Sequence, residues 1–306
     1  MTMKVNKIIL FVYLTISCIC CYSQTSSGFA LSKDSTSIYY KTFGSGNPIL
    51  IINGGPGMNS DGFENLAIKL SKHYQTIIYD QRGTGKSHLT ILDTSTITMK
   101  LMADDIESLR NKLKIKKWTI LGHSFGGMLA SYYATLYPEN IDKIILSASG
   151  GIDLGLLSYV RTSINSKLSK TDLDSVNYWT EKIDMGDTSH FARLERGKHL
   201  APAYVLNKKY LPIIAERLTQ GNAVINELIW ADLRKIKFDC SAKLKKFNNP
   251  VLIIQGKQDI IKTETAEKAN KAFANSKVVI MEHCIHYGWL DNEEVFFKEV
   301  NLFLKS

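Results

Sequence analysis

Gly122-His123-Ser124-Phe125-Gly126 decides how this chain is read. The five residues follow the pattern G-x-S-x-G. A run of β-type residues, Lys117-Trp118-Thr119-Ile120-Leu121, precedes them, and a helix-like run at 128–137 follows. A serine between two such elements sits on a sharp strand-to-helix turn, and the flanking glycines give that turn the room it needs. The turn pushes the hydroxyl out of the sheet edge. It also lays the N-terminus of the next helix under any oxyanion formed there. The bare pattern is common by chance, and a tight turn into a buried helix with a solvent-facing serine would satisfy it. The strand before it and the helix after it favour the chemical reading.

Strand-like and helix-like runs alternate on both sides of this turn. Residues 36–43 and 49–53 read as strands, 63–70 as a helix and 75–79 as a strand. Residues 98–113 have helical spacing, with Leu101, Ile106, Leu109 and Leu113 apolar and Asp104, Asp105 and Glu107 expected in solvent. A strand follows at 141–148. This βαβ rhythm implies an α/β fold with a mostly parallel central sheet and helices on both faces. The rhythm breaks near Gly150-Gly151. Residues 152–240 read as helices and loops, amphipathic at 156–168, 173–183 and 223–233 and rich in Tyr and Trp. It resumes with a strand at 251–255, a helix at 263–274, a strand at 277–281 and a closing helix at 293–304. The expected division is a leader at 1–23, a first core segment at 24–151, an inserted helical cap at 152–240 and a second core segment at 241–306. The cap leaves the sheet after the strand that follows Ser124. It therefore departs from the carboxyl edge, where open α/β sheets bind ligands.

The N-terminus is composed differently. Lys4 and Lys7 precede an apolar run at 8–19, and small or polar residues follow. That is the layout of a secretory signal peptide, and the run is short for a bilayer span. Cleavage near Ser23 is expected, with export across the inner membrane to the periplasm or the medium and no stable membrane partner afterwards. An uncleaved N-terminal anchor is one alternative. A lipid on Cys18, Cys20 or Cys21 is another, though the residues before these cysteines fit it poorly. Cleavage leaves Cys240 and Cys284 out of five cysteines. Two cysteines make no disulfide scaffold; they either pair or stay as buried thiols. The mature chain has no C-x-x-C or H-E-x-x-H run, so no metal is indicated. The formal charge is +9, and loss of Lys4 and Lys7 lowers it to +7. Basic residues cluster at 112–117, 208–209 and 234–246 with few aromatics among them, which suits a solvated face better than nucleic-acid binding.

A serine hydroxyl is a weak nucleophile at neutral pH. It needs a general base within hydrogen-bond reach, and the base needs an orienting carboxylate. On a doubly wound sheet these follow in the order Ser, Asp, His, each in a loop past a strand. Asp259 stands directly after the 251–255 strand, and His286 stands between the 277–281 strand and the last helix. His283 competes with His286 but falls at the strand's end. Two backbone N–H groups are needed for the oxyanion. Phe125, next to Ser124, supplies one. Gly55 in Asn53-Gly54-Gly55-Pro56-Gly57 supplies the other, since its loop follows an early strand and its glycines allow close approach. Gly85-Lys86-Ser87 imitates the end of a phosphate-binding loop. The earlier glycine that motif requires falls at Asp80, so nucleotide binding is excluded. Asp80 and Arg82 are read instead as fixing this loop beside the site.

Asn53-Gly54-Gly55-Pro56-Gly57, Asp80-Gln81-Arg82-Gly83-Thr84-Gly85-Lys86-Ser87 and Gly122-His123-Ser124-Phe125-Gly126-Gly127 together resemble the proline iminopeptidase branch of the α/β-hydrolase superfamily. The likeness covers the core on both sides of the insertion. It implies an α/β-hydrolase fold and release of an N-terminal residue, often proline, from short peptides. It also implies Ser124 as nucleophile, His286 as base, Asp259 as its orienter, and Gly55 and Phe125 as oxyanion donors. Two departures stand out. Members of this branch usually open the first motif with His, where this chain has Asn53. Peptidases of the branch also bind the substrate's free amine with cap glutamates. Glu227 in Asn226-Glu227 resembles one such position, while the place of a second, beside the triad aspartate, holds Ile260. Glu195 and Glu216 are substitutes by position only.

The expectation is thus a serine hydrolase acting on a short peptide or a small ester without a cofactor. An aminopeptidase needs a free amine on its substrate. A carboxylic-ester hydrolase does not. A catalytically silent binding protein on the same scaffold is the third reading, and the complete Ser, Asp, His set argues against it.

Overall fold

The computed structural model describes residues 25–306. The expected leader at 1–23 lies outside the described residues. Eight strands form one sheet in the order β1-β2-β4-β3-β5-β6-β7-β8. They are β1 (Ser26–Leu31), β2 (Ser37–Phe43), β3 (Pro48–Ile52), β4 (Gln75–Tyr79), β5 (Trp118–His123), β6 (Ile141–Ser147), β7 (Val251–Gly256) and β8 (Ser276–Met281). β2 pairs antiparallel with β1 and β4, and every other neighbour is parallel. β1 was not anticipated. Its exposed Phe29 and Leu31 give it no clear inward face, because it is an edge strand.

The inner strands are buried on both sides and divide the core in two. Leu50, Ile52 and Ile120 face one apolar layer. Ile49, Ile51 and Leu121 face the other, as the period-2 alternation of a strand requires. The first half carries α1 (Glu64–Leu70), α2 (Met99–Lys112) and α3 (Phe125–Leu136). Between β6 and β7 run α4 (Val160–Asn165), α5 (Lys170–Asp184), α6 (His190–Leu200), α7 (Leu211–Leu218), α8 (Ala223–Lys235) and α9 (Ser241–Leu244). α10 (Thr263–Ala272), α11 (Gly288–Asp291) and α12 (Glu293–Lys305) complete the chain. Of the three amphipathic runs expected in the insert, 156–168 is broken into a short 3₁₀ turn and α4. The insert's two ends meet where Asp153 bridges Asp239 and the Cys240 N–H donates to the Ile152 carbonyl at 2.8 Å. Among the described residues no helix is long and apolar enough to cross a membrane.

One expectation is overturned in α2. Asp104, Asp105 and Glu107 are buried, not solvated. Each meets a partner that the local pattern hides. The Asp105 carboxylate accepts both Nε (2.7 Å) and a terminal nitrogen (2.6 Å) of Arg82. Glu107 pairs with Arg110 and accepts from the Tyr133 hydroxyl at 2.8 Å, and Asp104 pairs with Lys100 and Lys33. Arg82 also donates to Asp34 and to the Thr96 carbonyl. The 80–87 loop is thereby bolted to α2, with Asp80 accepting from the Ser60 N–H and hydroxyl and from the Lys86 N–H.

Candidate active site

Ser124 caps α3 at φ 55°, ψ −121°, a conformation L-residues rarely adopt. The glycines around it are there for space. A Cβ at Gly126 would strike the Ile52 carbonyl oxygen, and one at Gly122 would lie 2.5 Å from the Gly126 carbonyl. Close packing of α3 on β3 and β5 thus requires both. Phe125 begins α3, where the first N–H groups have no partner within the helix. Gly55 is held at φ 74° in the facing loop and, like Phe125, lines the cavity with Ser124.

Asp259 and His286 are brought together although they lie on different loops. His286 Nδ1 stands 2.8 Å from Asp259 Oδ1, with both side chains buried. Asp259 is held by Gln255, whose Nε2 donates to Oδ2 at 2.6 Å, and by the Ile261 N–H. His286 is fixed through its backbone, which donates to the Tyr204 carbonyl at 3.1 Å. His286 shares the cavity wall with Ser124, but among the described residues the Ser124 hydroxyl makes no hydrogen bond, to His286 or to any other group. Such contacts often tighten only when substrate is bound. His283 is exposed at φ 51° in the turn after β8, away from this pair.

His123 lies beneath the site in an aromatic nest, with its ring 4.6 Å from His286, 5.0 Å from Tyr287 and 4.9 Å from Trp289. Burial, then the neighbouring His286 and Arg217, hold its pKa well below the usual imidazole value. Neither ring nitrogen has a well-formed hydrogen bond, although the Ser147 backbone slightly favours the charged form. Asn53 shows what replaces the histidine of the resembling motif. Its Nδ2 donates to the carbonyls of Gly54 (3.1 Å) and Met58 (3.0 Å), closing the loop that carries Gly55.

Three residues not anticipated tie the insert to this chemistry. Arg217 of α7, buried and stacked 4.8 Å over Phe63, donates to the Gly54 carbonyl at 3.0 Å. Asn226 of α8 donates to the Pro56 carbonyl. Asp291 accepts from the Ile285 N–H beside His286 and from the N–H groups of Leu206 and Asn207 in the insert. Burial, opposed by those N–H groups, raises the Asp291 pKa. Only tertiary contact reveals these roles; nothing local marks Arg217 or Asp291.

The expected amine-binding glutamates are not in the cavity wall. Glu227 is exposed on the outer face of α8. Ile225 and Ile229 turn toward the core, and two residues on from Ile225 is about 200° round the helix. Asn226 and Trp230 line the cavity instead. Glu216 is exposed beside His190, and Glu195 pairs with Lys198. Among the described residues the acidic one in the wall is Asp184, exposed at the end of α5. Cys240 and Cys284 are both free and buried; burial pushes the Cys240 thiol up to about 12 and the Cys284 thiol higher than its ordinary value.

An eight-stranded, mostly parallel sheet with a serine on a strained turn past β5 defines an α/β hydrolase. Residues 47–293 match the alpha/beta hydrolase fold family, and the chain belongs to that family. It is 28% identical over 273 residues to the proline iminopeptidase of Heyndrickxia coagulans, covering 86% of this chain and 92% of that one. Two solved structures share the fold. An esterase from Exiguobacterium antarcticum superposes with TM-score 0.70 at 24% identity, over 91% of this chain and 99% of the other. A proline iminopeptidase from Mycobacterium smegmatis superposes with TM-score 0.69 at 20% identity, over 92% and 98%.

Proposed function

We propose that this chain is a serine hydrolase working through an acyl-enzyme, an aminopeptidase of the proline iminopeptidase type that releases N-terminal residues from short peptides. The observation that carries the reading is the buried His286–Asp259 pair, 2.8 Å apart, whose His286 lines the same cavity as Ser124 on its strained turn. His286 takes the Ser124 proton as the hydroxyl attacks the substrate carbonyl, while Asp259 holds the ring through Nδ1. Gly55 and Phe125 donate backbone N–H groups to the tetrahedral oxyanion. The imidazolium then protonates the leaving amine, and water attacks the acyl-enzyme with His286 again as base. Similarity to the Heyndrickxia coagulans enzyme over most of both chains supports a peptide substrate.

A broad carboxylic-ester hydrolase is the second reading. It is favoured by the wall's lack of a buried carboxylate, since among the described residues Asp184 alone is there to meet an amine and it is exposed. Prolyl p-nitroanilide and its N-acetylated form separate the two. The peptidase reading expects turnover of the free amine and at least a ~100-fold loss on acetylation, the cost of removing a charge-assisted contact. Equal rates on both, or turnover of p-nitrophenyl acetate alone, would overturn it in favour of the esterase.

A further inference from the structure

The space in front of Ser124 is a cavity of about 870 Å³, roofed by the insert. Much of its wall is apolar, from Leu156, Val160, Ile164, Leu200 and Trp230. Two cations interrupt it. Arg193 and Arg196 both reach the wall from α6, three residues apart and therefore on one side of that helix. Both are half-buried. Arg196 Nε donates to the Thr180 hydroxyl at 2.8 Å, an attachment that leaves its terminal nitrogens unengaged. The Arg193 guanidinium has no hydrogen-bond or ion-pair partner among the described residues. Two other arginines withdrawn from solvent are matched to carboxylates, the buried Arg82 to Asp105 and the half-buried Arg110 to Glu107. Behind the oxyanion loop the buried Arg217 likewise meets only carbonyl and amide oxygens. Against these stands one wall carboxylate, Asp184, out in solvent.

We propose that the substrate carries a carboxylate and that Arg193 and Arg196 hold it. A planar guanidinium pairs with a carboxylate through two parallel hydrogen bonds, and two on one helix face can share one anion. The side of the substrate follows from the peptidase reading, on which this step rests. The acyl half then bears the amine, so the carboxylate belongs to the leaving half. The substrate class is a di- or tripeptide with a free C-terminus, not a longer chain or a neutral amide.

The test uses the full chain and two substrate pairs. One pair is Pro-Ala and Pro-Ala amide. The other is 4-acetoxybenzoate and its methyl ester, whose leaving groups differ by the same charge without any peptide bond. Wild type is expected to favour the carboxylate member by ~10-fold or more in kcat/KM, the worth of a charge-assisted contact. That ratio falls toward one in Arg193→Gln and in the Arg193→Gln/Arg196→Gln double variant. It persists in Arg234→Gln, a control at an exposed position. Because the Arg193 guanidinium bonds to nothing among the described residues, its single variant keeps the test readable should the double variant fold poorly. Turnover of both peptides at equal rates leaves the peptidase reading standing and overturns the carboxylate site. Silent peptides with a preserved ester preference overturn the peptidase and keep the site. Silence on all four substrates removes both.

Discussion

At the scale of single residues, the site is assembled from groups that are each unusual where they stand. Ser124 holds a positive φ, and Gly122 and Gly126 exist to let it. His123 is a neutral imidazole enclosed by rings, its pKa driven down chiefly by burial. The sign of its pH effect follows. Above the unfolded value of about 6.5, neither the folded nor the unfolded state protonates this ring, and stability is unaffected. As pH falls from there toward the depressed folded value, the unfolded chain binds a proton that the folded one refuses. Stability therefore drops by up to ~1.4 kcal/mol per pH unit from this group. His123→Phe keeps an aromatic ring and removes the proton. Urea denaturation at pH 8 and pH 5 is expected to show a smaller loss for the variant than for wild type; an unchanged difference would mean that His123 is not held neutral.

At the scale of elements, the loops that carry the chemistry are braced from a distance. Arg82, after β4, clamps Asp105 of α2 in a bidentate pair with both side chains buried. Arg82→Leu leaves Asp105 without its cation, and breaking a buried pair from one side costs ~3–5 kcal/mol. Denaturant titration checks this, and a loss below ~1 kcal/mol would contradict the bracing role. Arg217 and Asp291 do the same between insert and core, one at the loop of Gly55 and one at the loop of His286. These braces mark the limit of what the sequence discloses. The strands β3, β5, β6 and β7 are legible because buried parallel strands are continuous apolar runs. Asp104, Asp105 and Glu107 mislead because an acidic stretch on a helix ordinarily faces water, while Lys33, Arg82 and Tyr133, which help to bury them, lie outside α2. Glu227 misleads by one residue, since one step along α8 is about 100° of rotation. Position in a motif does not carry that angle.

At the scale of the molecule, one sheet edge gathers residues from three distant parts of the chain. The order Ser124, Asp259, His286 is readable because a doubly wound sheet puts each successive loop at the same edge. The insert between β6 and β7 is readable as helix, but its inward face is not, because that face is chosen by packing against the loops of Gly55 and His286. Two of the chain's cations, Arg193 and Arg196, line the cavity beneath that insert. Everything proposed about substrate presupposes that Ser124 is the acylated residue. Labelling the folded protein with a fluorophosphonate, followed by mass mapping of the adduct, tests this most directly. The account predicts one adduct, on Ser124, absent in Ser124→Ala and formed at least ~10³-fold more slowly in His286→Ala, where the base that activates the hydroxyl is gone. No adduct on the folded protein, or equal labelling of Ser124→Ala, would contradict it.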